Sequence, residues 1–146
     1  MHRAHFRPFL TLLFIALLTA CGAPAAPATT AAEAQDLIIG IWRLRSEVYI
    51  LHDGTREDVE RPTTAAQYRD DGTFTIGIRG VGKQGGSYRI GGADALERRF
   101  LNTERRRGPP VPVTMQVSKD ILVLTMKVTD TQSDVAFVEQ TFERGR

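Results

Sequence analysis

Any catalytic or metal-binding reading of this chain has to be built from few residues. Its histidines are His2, His5 and His52, and its one cysteine is Cys21. His2 and His5 stand in an N-terminal stretch with the features of a cleaved segment, which leaves His52. Zinc sites draw on several His or Cys ligands, so no metal is expected. A Ser-His-acid triad would also need His52, and the closest match to a G-x-S-x-G elbow, Gly85-Gly86-Ser87-Tyr88-Arg89, ends in Arg where the last Gly belongs. Asp70-Asp71 and Glu57-Asp58-x-Glu60 offer carboxylate pairs for general acid–base work. Asp71-Gly72 is better explained as a tight turn, and the Glu57 cluster as a solvated loop. Gly80-Val-Gly82-Lys-Gln-Gly85 matches G-x-G-x-x-G, and Gly77 to Lys83 matches the start of a phosphate loop, with Gln84 where Ser or Thr would hold Mg²⁺. Both motifs need a helix next, whose N-terminal amides meet the phosphate. Ser87-Tyr-Arg-Ile90 reads as strand, so a glycine-rich hairpin loop is expected, with no cofactor and no enzymatic activity.

The charged residues with most to say are arginines. Sixteen of the 19 basic residues are Arg. Glu104-Arg105-Arg106-Arg107-Gly-Pro-Pro is the densest run, and Arg forks suit phosphate. No aromatic residue interleaves with it, which argues against nucleic acid. Arg98 and Asn102 share parity with Leu96 and Phe100. If that face is inward, a buried guanidinium needs a partner; Glu139, Gln140 or a ligand carboxylate could supply it. The formal charge of +2 belongs to the N-terminus, because Arg3 and Arg7 precede residue 21 and all 17 acidic residues follow it.

Arg3 and Arg7 stand in an acid-free start, followed by twelve uncharged residues from Phe9 to Ala20. A membrane span needs about 20 apolar residues, whereas this length fits a signal-peptide core. The run ends Leu18-Thr19-Ala20-Cys21, which resembles the lipobox of bacterial lipoproteins. The resemblance implies cleavage before Cys21, diacylglycerol on its sulfur and acylation of its new amino group. Two chains suffice for stable anchoring, and the implied location is the extracytoplasmic side of a bacterial membrane. The segments are then residues 1–20 as signal peptide, 21–36 as an Ala/Pro/Thr-rich tether and 37–146 as the folded domain, with a short helix at Glu33–Leu37.

Beyond residue 37 the apolar residues alternate instead of recurring every three or four positions, which predicts strands. Trp42, Leu44, Ser46, Val48 and Ile50 share one parity, and Asp53-Gly54 closes that strand. Further strands are expected at Thr64–Arg69, Phe74–Ile78, Ser87–Ile90, Leu96–Thr103, Val111–Val117, Leu122–Val128 and Val135–Arg144. In the last, Val135/Phe137 and Val138/Phe142 leave the inward face open. Eight short strands with short loops predict an all-β fold, a small antiparallel up-and-down barrel, because closure removes exposed edges. Eight strands enclose a space that side chains fill or that holds one small ligand.

Gly40-Ile41-Trp42 before Leu44 resembles the G-x-W opening of lipocalins and bacterial lipocalin-like lipoproteins. Tyr68-x-x-Asp71-Gly72-Thr-Phe74 and Gly86-Ser-Tyr88-Arg-Ile90 are similar to the strand pattern of such lipoproteins. The resemblance implies that Trp42 closes the barrel base with an Arg from the last strand over it, a part open to Arg144. It also implies a small apolar or amphipathic ligand within the sheet, against Trp42, Tyr68, Phe74, Tyr88 and Phe100, with Arg98 orienting a carboxylate. Ser46, Asn102 and Gln140 are the other polar residues of inward parity. A packed barrel that docks a partner at the envelope is the competing expectation.

Overall fold

A computed structural model describes residues 25–60, 64–78, 80, 82–101 and 107–145. The expected signal peptide, Cys21, Asn102, Arg105 and Arg106 lie outside the described residues. The elements are α1 (Ala31–Ile38), β1 (Gly40–Leu51), β2 (Arg56–Val59), β3 (Thr64–Tyr68), β4 (Thr73–Ile78), β5 (Gly82–Ile90), β6 (Ala95–Phe100), β7 (Val111–Val117), β8 (Ile121–Lys127) and β9 (Val135–Arg144). Every strand is antiparallel to its neighbour, in chain order from β3 to β9, and β9 returns to pair with β1. The expected closed, up-and-down, all-β barrel is what the chain forms.

The ninth strand does not widen the barrel. β2 pairs with Glu47–Ile50 of β1 and β3 with Gly40–Arg43, both antiparallel to it. Since β9 occupies the other edge of β1, β2 and β3 are two pieces of a single staves' width, running in one direction. Five residues separate Val59 from Ala65 and three separate Glu47 from Arg43, so the second stave holds two more residues than the stretch of β1 it faces. The excess of acid and Arg in β2 concealed it, because Arg56, Glu57 and Asp58 are all exposed and show no alternation.

β1 carries a bulge that the sequence pattern did not reveal. Leu44 faces Phe142 and Ser46 faces Thr141, so Arg45 is an extra residue. One inserted residue reverses the faces beyond it. Trp42 and Leu44 point inward as expected, but Ser46 is exposed and Glu47 takes the inward position at 7% exposure. The single parity drawn through Ser46, Val48 and Ile50 is therefore wrong above the bulge. The glycine-rich loop is also shorter than expected. Ile78 pairs with Gly82, and Gly82–Gly85 belong to β5. On β9, Phe142 is buried and Phe137 faces outward at 39% exposure, which settles that strand's inner face as the even-numbered one.

α1 is part of the packed unit. Ala34 and Ile38 are fully buried in the core, and the Ala28 amide donates to the Val117 carbonyl at 2.7 Å. The boundary placed between residues 36 and 37 thus runs through this helix. Thr30 caps it, its hydroxyl accepting from the Glu33 amide at 3.2 Å, while the Glu33 carboxylate accepts from the Thr29 amide and hydroxyl. Such reciprocal capping fixes where a short helix starts.

Candidate functional site

The interior has two differently built halves. At the α1 end, the C-terminal carbonyls of the helix have no basic residue of their own last turn to meet, and orphan carbonyls need partners. The barrel supplies them. Trp42 Nε1 donates to the Ile38 carbonyl at 2.7 Å, and Arg144 donates to Ile39 at 3.0 Å and to Leu37. The same guanidinium reaches the Lys119 carbonyl at 2.6 Å and lies over the Trp42 ring, 4.3 Å from its centre. Gly40 completes the knot: its φ is +139°, and a Cβ there would sit 2.7 Å from Arg144 Nη1. Trp42, Gly40 and Arg144 thus close the base physically, with α1 as the plug.

Above the base lies an aromatic stack. Tyr68 stacks on Phe74 with ring centres 5.8 Å apart, meets Tyr88 edge-on at 5.1 Å, and Phe74 meets Phe100 edge-on at 5.1 Å. Gly86 makes room for it. It stands opposite both Phe74 and Phe100, and a Cβ on it would fall 2.0 Å from the Arg99 carbonyl oxygen. Tyr88 belongs to the lower rim, because its hydroxyl donates to the Arg69 carbonyl at 2.6 Å and accepts from Gln35 at 3.1 Å.

Arg98 projects into this stack from β6, as its parity predicts, and is 2% exposed. Its guanidinium centre lies 5.8 Å from the Phe74 ring centre and 5.5 Å from that of Phe100. Among the described residues the hydrogen-bond acceptor it reaches is the Met126 thioether sulfur, a weak one. Among the described residues neither its Nε nor the Tyr68 hydroxyl has a hydrogen-bond partner. Burial raises the Tyr68 pKa above the usual phenol value, and the nearby Arg98 charge pulls it partly back.

The expected internal partners are engaged elsewhere. Glu139 is on the outer face, 2.6 Å from Arg56. Gln140 does point inward, but it donates to Glu47 at 2.8 Å. Glu47 and Met126 are the interior residues that sequence reasoning missed. Glu47 was hidden by the bulge, whereas Met126 lies on the apolar parity of its strand, and nothing in that pattern marks it as a partner for Arg98.

Burial falls along the barrel axis. On β4, β6, β7, β8 and β9 the inward residues towards α1 are buried, among them Phe74, Leu96, Met115, Leu124 and Phe142. On β4, β8 and β9 the next inward residues away from α1, Ile76, Met126 and Gln140, are half-buried; on β6 and β7 the half-buried Phe100 and Val111 come one step further, beyond the buried Arg98 and Val113, and β1 and β3 keep Glu47, Ala66 and Thr64 buried at that end. Arg98 sits between the fully buried residues near α1 and the half-buried Phe100, Val111 and Met126 beyond it. His52 is exposed in the turn after β1, its amide bonded to the Asp134 carbonyl at 3.1 Å. Asp71 accepts from the Thr73 amide and hydroxyl in the turn before β4.

No family model matches the chain, and no curated protein matches it.

Proposed function

We propose that this is a lipid-anchored extracytoplasmic protein, of the bacterial lipocalin-like kind, that binds a small amphipathic acid in its barrel. The lipobox ending at Cys21 supports the anchor, and the G-x-W opening with its stacked Arg144 supports the family reading. The observation that carries the binding reading is Arg98. Its guanidinium is almost fully withdrawn from water, and among the described residues it has a thioether as hydrogen-bond acceptor and the Phe74 and Phe100 rings as neighbours, with no carboxylate against it, which is weak compensation for a buried charge. A carboxylate entering from the open half would strengthen it by a charge-assisted, bidentate contact. The half-buried Ile76, Phe100, Val111 and Met126 would then hold an apolar tail. Catalysis is no part of this reading: the chemistry it uses is recognition only.

The test compares a fluorescent fatty acid with its methyl ester on the purified domain, in the native chain and in Arg98→Met. The acid is expected to bind the native domain at least tenfold more tightly than the ester, and the substitution to remove that preference. Equal binding of acid and ester, or none, would leave the competing reading, a packed barrel that docks an envelope partner. The filled lower half, with Trp42, Tyr68, Phe142 and the α1 plug, favours that reading as far as it goes. For the anchor, Cys21→Ser should release the protein from membranes and abolish labelling by a fatty-acid precursor.

A further inference from the structure

We infer that the closed, α1-capped end of the barrel faces the lipid surface and that the open end faces away from it, into the aqueous phase. The inference rests on the reading that Cys21 carries the lipid. Its new content is which way the barrel stands and therefore from where a ligand can enter.

The chain leading to α1 is fixed at the closed end. The Ala28 amide bonds to Val117 at the end of β7, and Ala25 and Pro27 line a hollow with Val117, Ser118 and Asp120 at the β7–β8 turn. Only Gly22, Ala23 and Pro24 separate Ala25 from Cys21. Four such steps span about 14 Å at full extension. β7 itself, from Val117 up to Val111, runs about 20 Å at the usual rise per residue. Strand tilt of about 35–45° in a barrel reduces that to about 15 Å of wall along the axis, so bringing the far end to the bilayer would take the whole leash at full stretch, whereas the closed end is reached at any extension. The closed end has little to insert: Ile41, at 49% exposure, is the one large apolar side chain exposed near it among the described residues. Contact is made by the anchor, with the protein body resting on the headgroups.

The consequence concerns exchange. An acid would reach Arg98 through the mouth formed around the turn after β1 and the loop between β8 and β9, from water or from another carrier. Direct uptake from the leaflet that holds the anchor is sterically unfavoured.

The experiment uses the full lipidated chain in vesicles of phosphatidylcholine and phosphatidylglycerol containing a headgroup spin-labelled phospholipid. Cys21 is the only native cysteine and is blocked by lipid, so single dyes can be placed at Lys119→Cys on the closed end, Thr125→Cys on the outer wall and Gln132→Cys at the mouth. Quenching should be strong at position 119, weaker at 125 and absent at 132. Equal or greater quenching at 125 would mean the barrel lies on its side, and at 132 that it stands inverted; either overturns the inference while leaving the anchor intact. Protein that fails to float with the vesicles and carries no lipid mass would overturn both the anchor and the orientation.

Discussion

Arg144 does three jobs from one side chain, and each depends on the guanidinium's planarity. It covers the Trp42 face, satisfies two carbonyls at the end of α1 and ties the β7–β8 turn to both. A lysine ammonium offers neither the fork nor the stacking surface. Arg144→Lys is therefore expected to lose at least about 1.5 kcal/mol of stability in chemical denaturation, the scale of a charged hydrogen bond, and Arg144→Ala more. Trp42→Ala should cost about 3–5 kcal/mol, as for other large aromatics lost from a core. A cost below 1 kcal/mol would contradict its burial. Gly86→Ala is a sharper test of the aromatic stack, because the added methyl meets a backbone oxygen, which cannot swing aside. It should destabilise by about 1–3 kcal/mol, as overpacking does, and perturb the near-ultraviolet signal of Phe74 and Phe100. At this scale the sequence was informative where a residue type had one plausible use. Trp42 and Arg98 were legible from parity alone. Glu47 was not, since an acidic residue in a polar run looks like an outer face until the bulge at Arg45 is seen.

Among the elements, strands marked by alternation or by flanking turn residues were located within about a residue. β7 and β9 have the expected bounds, because Val113, Met115 and Val117 alternate with polar residues, and β9 is bracketed by turn residues. β2 was missed because pairing with β1 asks nothing apolar of it. α1 was underestimated because alanines carry little hydrophobic signal, although Ala34 is as buried as Ile38. Its N-terminal capping makes a prediction with a definite sign. Glu33's pKa lies below its ordinary 4.5, first through the Thr29 amide and then through the Thr29 hydroxyl. A carboxylate with a depressed folded-state pKa contributes stability that is present above its unfolded value and lost as pH falls through the folded one. Lowering the pH below about 4.5 should thus loosen α1, seen as faster amide exchange at Ala34 and Ile38, and Glu33→Gln should remove that part of the pH dependence. Thr30→Ala should cost about 1 kcal/mol at any pH, the usual worth of an N-cap.

For the whole molecule, the packed core is concentrated at the α1 end, and the proposed binding of an acid concerns the half-buried residues beyond Arg98. The α1 end, filled by Trp42, Tyr68, Met115, Leu122, Leu124 and Phe142, supplies the packed core. Arg98 meets that core through the Phe74 and Phe100 rings and the Met126 sulfur, contacts that are weak beside the cost of burying its charge. Replacing a buried charge lacking good partners by a hydrophobic residue is often neutral or stabilising. Arg98→Met should accordingly raise, or leave unchanged, the midpoint of thermal unfolding without ligand. With a bound acid the order should reverse. A ligand that binds only the folded state stabilises it by about 2.7 kcal/mol at a hundredfold excess over its dissociation constant, and the native chain alone would receive that gain. Differential scanning calorimetry of both proteins, with and without a saturating long-chain fatty acid, reads the crossing directly. If Arg98→Met unfolds several degrees lower than the native chain in the absence of ligand, Arg98 is a structural member of the core, and its burial needs no ligand to explain it.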